Sequence, residues 1–135
     1  MDKAQASVEL IVYVSIMLVI FGIAAVTASD KQKEIYDERV FAAAKNTLNA
    51  VVTEIDAAVS VGSGYSHKFS LPYTLSDVDY SIGVDNQYQT VYIEWSEKNY
   101  SLPLTTSNIN GSFVKGENKI SNRGGMITIE RSADI

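Results

Sequence analysis

"QASVELIVYVSIMLVIFGIAAV", residues 5–26, decides how the rest of the chain is read. From residue 8 to residue 28 the only charge is Glu9. The run meets the roughly 20-residue length that spans about 30 Å of hydrocarbon. Asp2 and Lys3 lie outside it, where charge costs little, but Glu9 is already within its first turn. An ionisable side chain in such a segment is expensive and marks a functional position with a specific partner. The bland alternative is a carboxylate at headgroup depth, favoured by the positive N-terminal end of a helix.

Two other readings of the run compete. A secretory signal has an apolar core of about 7–15 residues before a small-residue cleavage site. Ala24-Ala25 and Ala28-Ser29 suit a signal peptidase, but this run is longer and lacks a polar leader of useful length. An ordinary single-pass anchor is the better rival, with Lys3 favouring an internal N-terminus.

The 135 residues make one modest domain beyond the run. The formal net charge of −5 argues against a nucleic-acid partner, which would need a clustered basic face. With no cysteine, disulfide scaffolds, thiolate metal sites and cysteine nucleophiles are excluded. A small head outside the membrane must then be held by packing.

Past the run, no proline and no glycine occurs before Gly62. Tyr36, Val40, Ala44, Leu48, Val51, Val52, Ile55 and Val59 recur at steps of three and four, a helical stripe. One continuous helix is expected over about residues 5–60, apolar all round at first and amphipathic later. Its length is on the order of 80 Å, more than twice what a bilayer needs. Gly62-Ser63-Gly64 stops it.

From Tyr65 the period changes to two. Val78, Tyr80, Ile82 and Val84 share one face, and Val91, Ile93 and Trp95 share another. "DNQ" (85–87) and "SEKN" (96–99) are read as hairpin turns. Pro103 in "YSLPLTT" suggests an edge strand. A further hairpin is expected near Gly116-Glu117-Asn118, and "RGGMITIER" supplies a final strand with Ile127 and Ile129 inward. Six or seven short antiparallel strands are therefore expected, packed on the helix's apolar stripe, because about 70 residues make a thin core alone. The fold class is α+β. Its expected organisation is a leader over 1–4, a helix over 5–61 (5–28 greasy, 29–61 amphipathic) and an antiparallel β head over 65–135.

A long helix, half of it lipid-grade, ending in a small β head resembles a type IV pilin. The resemblance sharpens at "DKAQASVEL" (2–10), which is similar to the class III signal of archaeal pilins. In that signal a short charged leader ends in lysine and a small residue. Glutamine then opens the mature chain, followed by a small residue, serine, any residue and glutamate. The resemblance implies cleavage between Ala4 and Gln5 by a membrane prepilin peptidase, with Ser7 and Glu9 matching the motif. Ala4 stands where glycine is common in related leaders. The motif covers the first third of the chain; the head is placed by architecture alone.

The resemblance also implies a role for Glu9. A cut after Ala4 frees an α-amine on Gln5, with a reference pKa near 8. In the family, the glutamate neutralises that amine on a docked neighbour, so that an incoming subunit leaves lipid for the filament. Breaking a buried pair typically costs about 3–5 kcal/mol, ample to set a docking register. Ser15, Gly22, Ala24, Ala25 and Ala28 are small residues that let helices approach closely. The implied partners are identical pilin subunits, the prepilin peptidase, a membrane platform protein and an assembly ATPase, since this chain has no NTP-binding loop. The precursor would sit in the cytoplasmic membrane and the product in an extracellular filament.

In the head, Asn99-Tyr100-Ser101 and Asn110-Gly111-Ser112 are N-glycosylation sequons, expected on exposed loops. N-linked glycans are the one attached group anticipated; no cofactor or metal is. His67 is expected at the surface, and Asp77, Asp79 and Asp85 lack an EF-hand pattern. The leading expectation is a non-enzymatic structural subunit of an adhesion pilus. A minor pilin or pseudopilin priming a filament or secretion apparatus is the runner-up, and a single-pass protein with a ligand-binding head is the third reading.

Overall fold

The computed structural model describes residues 2–132, with side chains from residue 4 onward. It shows an α+β chain with one long N-terminal helix, the second part of which packs against β-sheets, a type IV pilin-like architecture. Helix α1 runs Asp2–Val61 and is followed by seven strands. These are β1 (Ser66–Leu71), β2 (Ser81–Asp85), β3 (Thr90–Trp95), β4 (Lys98–Pro103), β5 (Ile109–Gly111), β6 (Gly116–Arg123) and β7 (Met126–Arg131). The helix is already formed at Asp2, so the Ala4–Gln5 junction lies inside it. Met1 lies outside the described residues.

The chain divides into two compact units, residues 1–38 and 39–135. In the first, every residue from Ala4 to Glu38 is exposed. In the second, the stripe does what its spacing predicts. Val40, Ala44, Leu48, Val51 and Ile55 are buried, joined by Ala58, while Val52 and Val59 are partly covered. Tyr36 is the exception: it belongs to the first unit and stays exposed. Steps of three and four place a residue on a face, but only residues alongside a sheet find something to cover that face.

The sheets supply the cover. A four-stranded sheet has the order β1-β6-β7-β5 and a three-stranded sheet the order β2-β3-β4. Alternation in β3 buries Val91, Ile93 and Trp95, and in β7 Ile127 and Ile129. Both join Ile120 and the helix stripe in one core. Full burial of each such side chain is worth about 1.5–3 kcal/mol. The β3–β4 hairpin turns on Ser96 and Glu97, both with positive φ (43° and 63°), the pattern of a two-residue turn whose twist matches its strands. Pro103 closes β4, an edge strand as expected. At Gly83 in β2, a Cβ would overlap the Tyr92 ring of β3, so glycine lets that ring close over the strand.

Three expectations are corrected. Gly116-Glu117-Asn118 is not a hairpin turn but the start of β6, which pairs with β1 through Ser70↔Glu117 and Phe69↔Asn118. The chain bends just upstream instead. There the buried Asn118 side chain accepts from Val114 N (2.9 Å) and donates to Val114 O (2.7 Å) and Gly116 O (3.0 Å). A turn-forming residue type here stabilises a bend from within a strand. The real turn is at Gly124-Gly125, between β6 and β7. Nor are all strands antiparallel: β5 pairs parallel to β7, through Ile109↔Ile127 and Gly111↔Ile129. Finally, β2 begins only at Ser81. Val78 is instead bridged to Leu75, ahead of the strand.

The helix end is secured from a distance. Gly62 adopts φ +82°, and its N–H reaches Ala58 O (3.2 Å), a left-handed termination that suits glycine. Asn122 of β6 is buried and donates from Nδ2 to the same Ala58 carbonyl (2.8 Å). Its Oδ1 accepts from Gly125 N in the β6–β7 turn (3.0 Å). One side chain therefore joins the helix terminus to a hairpin.

Candidate functional site

Ala4, Gln5, Ser7 and Glu9 all lie on exposed helix. Gln5 and Glu9 are four residues apart and so neighbours along one face, whereas Ser7 lies on another. Among the described side chains, none pairs with Glu9. The apolar run around it is uncovered throughout: its most apolar 18-residue window is 0% buried, and Phe21 and Met17 are 74% and 70% exposed. By length and composition this helix is able to cross a membrane, as an anchor or a signal segment would.

Two hydroxyls of the run are satisfied by their own helix. Ser15 Oγ donates to Ile11 O (2.8 Å), and Thr27 Oγ1 donates to Ile23 O (2.9 Å). Each hydroxyl turned back onto its own helix presents little free polarity to an apolar neighbour. Ser15 was read from the sequence only as a small residue; its bond to the preceding turn is a second reason it suits a close-packed helix. Glu9, whose ionised carboxylate can only accept, finds no donor among the described side chains, unlike the self-satisfied hydroxyls of Ser15 and Thr27.

The head carries two polar clusters on its flanks. On one, Glu54 of the helix meets β1. His67 Nδ1 is 2.9 Å from Glu54 Oε2, and Tyr65 Oη donates to the same oxygen at 3.4 Å. Partial burial, then the Glu54 charge, pushes the Tyr65 phenol above its ordinary range. His67 is at the surface as expected, but its acid partner stands 13 positions earlier in the sequence, out of reach of any local motif.

On the other flank, Lys115 pairs with Asp79, and its ammonium lies 5.3 Å from the centroid of the Tyr80 ring. The hydrogen bond from Lys115, then its charge, holds the Asp79 carboxyl below the usual carboxylate range. Tyr80 is buried and donates to the Pro72 carbonyl. Burial, with the Asp79 charge as a second cause, pushes its phenol up to about 12.

Beside this cluster opens a cleft of about 570 Å³ at the end of the three-stranded sheet. Its wall includes Ser81 of β2, Glu94 and Trp95 of β3, and Lys98 and Asn99 of β4. The strand register explains why: Ser81 lies opposite Glu94, and Glu94 opposite Asn99, so the three form one row across the sheet. The sequence held the parts of this row, but only the register of two hairpins brings them together.

Both sequons are exposed, but on strands, not on loops as expected. Asn99 is the second residue of β4, and Asn110 lies in β5; each strand is the edge of its sheet. The three aspartates do not converge. Asp79 is tied to Lys115, and Asp85 Oδ1 accepts from Gln87 N and Tyr88 N, closing the β2–β3 turn. Among the described residues no group of three or more His, Asp or Glu side chains is placed to hold a metal ion.

No family model, no curated protein and no solved structure matches this chain.

Proposed function

We propose that this protein is a non-catalytic structural subunit of a type IV-pilin-like surface filament of the archaeal kind, polymerising through its N-terminal helix. One observation carries the reading. A single helix holds a wholly exposed apolar segment with one unpaired carboxylate near its start, and a packed stripe that carries a β head.

The uncovered segment cannot stay in water. Burying each of its large side chains is worth about 1.5–3 kcal/mol, and fourteen of them between Val8 and Val26 are exposed. Lipid satisfies that demand in a precursor, and copies of the same helix satisfy it in a filament. Glu9 distinguishes the two environments. In lipid it is a lone carboxylate; beside the α-amine of a neighbour cleaved after Ala4 it gains an opposite charge. The partners are therefore identical subunits, with a prepilin peptidase to expose Gln5 and a platform protein and ATPase to drive extraction. The head, with N-linked glycans on its sequons, then lies outside the cell and serves attachment.

Glu9→Ala tests the proposal directly. The variant should remain in the membrane fraction, while filaments disappear from electron micrographs of sheared surface material. Normal filaments from the variant would refute the pairing. Mass spectrometry of the native N-terminus should find the chain opening at Gln5, and a chain opening at Met1 would favour a plain anchor.

A further inference from the structure

We infer that the head carries a self-modifying site at Asn110-Gly111, where the chain closes a succinimide ring and reopens as isoaspartate or aspartate, releasing β5 from β7. The inference stands apart from the filament reading and concerns every chain whose Asn110 amide bears no saccharide.

Ring closure needs three things: an asparagine side chain free to bend back, a following residue with no Cβ in the way, and a backbone N–H outside any ladder. Asn110-Gly111 is the only Asn-Gly pair in the chain. Both residues are exposed on β5, a strand of three residues at the edge of its sheet. The ladder leaves the nucleophile out. Ile127 N donates to Asn108 O at 2.9 Å, so the parallel ladder continues through the N–H and C=O of Asn110, and those of Gly111 face away from β7. A short parallel edge opens at little cost, which gives Asn110 the backbone rotation that closure requires.

Glycine is obligatory here. Gly111 has φ +102°, and a Cβ on it would overlap Ile129 O. The close approach that seats β5 on β7 therefore fixes, beside Asn110, the one residue type that leaves its Cγ unshielded. The other asparagines of the head lack this combination. Asn99 and Asn108 precede the bulky Tyr100 and Ile109. Asn118 and Asn122 are buried with their amides engaged.

In the reaction, Gly111 N gives its proton to hydroxide and attacks Asn110 Cγ. The Cγ–Nδ2 bond breaks, and the nitrogen leaves as ammonia with the electron pair and a proton from water. A second water then opens the ring. Attack at the side-chain carbonyl leaves aspartate at 110; attack at the backbone carbonyl leaves isoaspartate, with the main chain routed through Cγ. That route lengthens the backbone by a methylene between the pairs Ile109↔Ile127 and Gly111↔Ile129, so both cannot hold. Asn86 Nδ2 anchors the upstream end through Ile109 O (2.8 Å), which leaves the Gly111 end to let go.

The test uses full-length protein from its native membrane, kept in detergent at mildly alkaline pH and sampled over days. Cleavage after Lys98 and Lys115 in acid gives residues 99–115, a peptide that holds Asn99, Asn108 and Asn110 together. Electron-transfer fragmentation then distinguishes isoaspartate from aspartate at each position. Loss of the amide at 110, with isoaspartate among the products, is expected while Asn99 and Asn108 stay intact. The folded chain should convert within about tenfold of the rate of the chain unfolded in urea, since edge fraying costs little. Hydrogen exchange at Ile127 and Ile129 should rise in the aged protein and stay at its starting value in Asn110→Ser aged alike.

Conversion only in urea would show that the strand protects the site. Aspartate without isoaspartate would mean that no ring formed, and unchanged exchange in isomerised protein that β5 stays paired. A saccharide on every Asn110 would leave no amide to react. Each of these results overturns the inference, and none of them bears on the filament reading.

Discussion

Asn122 offers the sharpest test of how the head is held together. Its side chain is buried, donates to Ala58 O at 2.8 Å and accepts from Gly125 N at 3.0 Å. Asn122→Ala removes both bonds, while Ala58 O keeps the Gly62 N–H as a donor. Each net hydrogen bond is worth about 1 ± 0.5 kcal/mol. A loss of about 1–3 kcal/mol follows, a large share of the 5–15 kcal/mol typical of a domain. Asn122→Asp is nearly isosteric yet predicted to be worse at neutral pH. It keeps the bond from Gly125 N but aims a second acceptor, charged and buried, at Ala58 O. The protonated acid, by contrast, donates to that carbonyl. The folded-state pKa of the introduced carboxyl is therefore raised, so the variant gains stability as pH falls through that value. Urea unfolding of the full chain in detergent, followed by the emission of Trp95, measures both effects. With a urea slope of about 1–3 kcal/mol per M, the alanine variant should lose on the order of 1 M in midpoint. If the aspartate variant is no less stable than the alanine variant at pH 7, or does not recover in acid, the Asn122–Ala58 bond is not what fixes the helix end.

Two further outcomes are expected by the same measurements. Leu48→Ala empties a fully buried site on the stripe and should cost about 2–5 kcal/mol. Val61→Ala, at a position 67% exposed at the helix end, should stay within about 0.5 kcal/mol of the parent and serves as its control. In alkaline spectrophotometric titration, one phenol should ionise only near the value of about 12 assigned to Tyr80. Because folding favours the neutral phenol, its contribution is complete below the unfolded value of about 10 and is lost as pH climbs toward 12. Tyr80→Phe should remove the late titration, and a Tyr80→Phe protein that keeps it would show the assignment to be wrong.

How far the sequence alone reaches varies along the chain. The helix is legible because its signals are local: no breaker from residue 27 to 61, a stripe with the right period, and a glycine at its end. The β2–β3–β4 meander is legible for the same reason, since each turn lies beside the strands it joins. The four-stranded sheet is not. Its β1–β6 and β5–β7 pairings join residues whose partners are set by the whole fold, so nothing in a short window announces a parallel edge. Asn118 misleads for a definite reason: the amide that marks turns elsewhere here bonds a neighbouring bend while its own backbone stays in the ladder. The motif at Gln5, Ser7 and Glu9 is plain in the sequence, whereas the row Ser81–Glu94–Asn99 exists only once two registers are known.

The bond from Asn122 to Ala58 also sets a timetable for synthesis. The two residues are 64 positions apart, so the helix terminus has no such partner until β6 has been made. The stripe from Val40 to Ala58 waits for Ile120, Ile127 and Ile129, near the far end of the chain, to complete its core. Closing a segment this long carries an entropic penalty before any contact repays it. A nascent chain therefore holds a greasy helix, with its second half still bare, until nearly the last strand has left the ribosome. On the filament reading proposed above, early membrane engagement of the first half keeps that intermediate out of water and away from others like it.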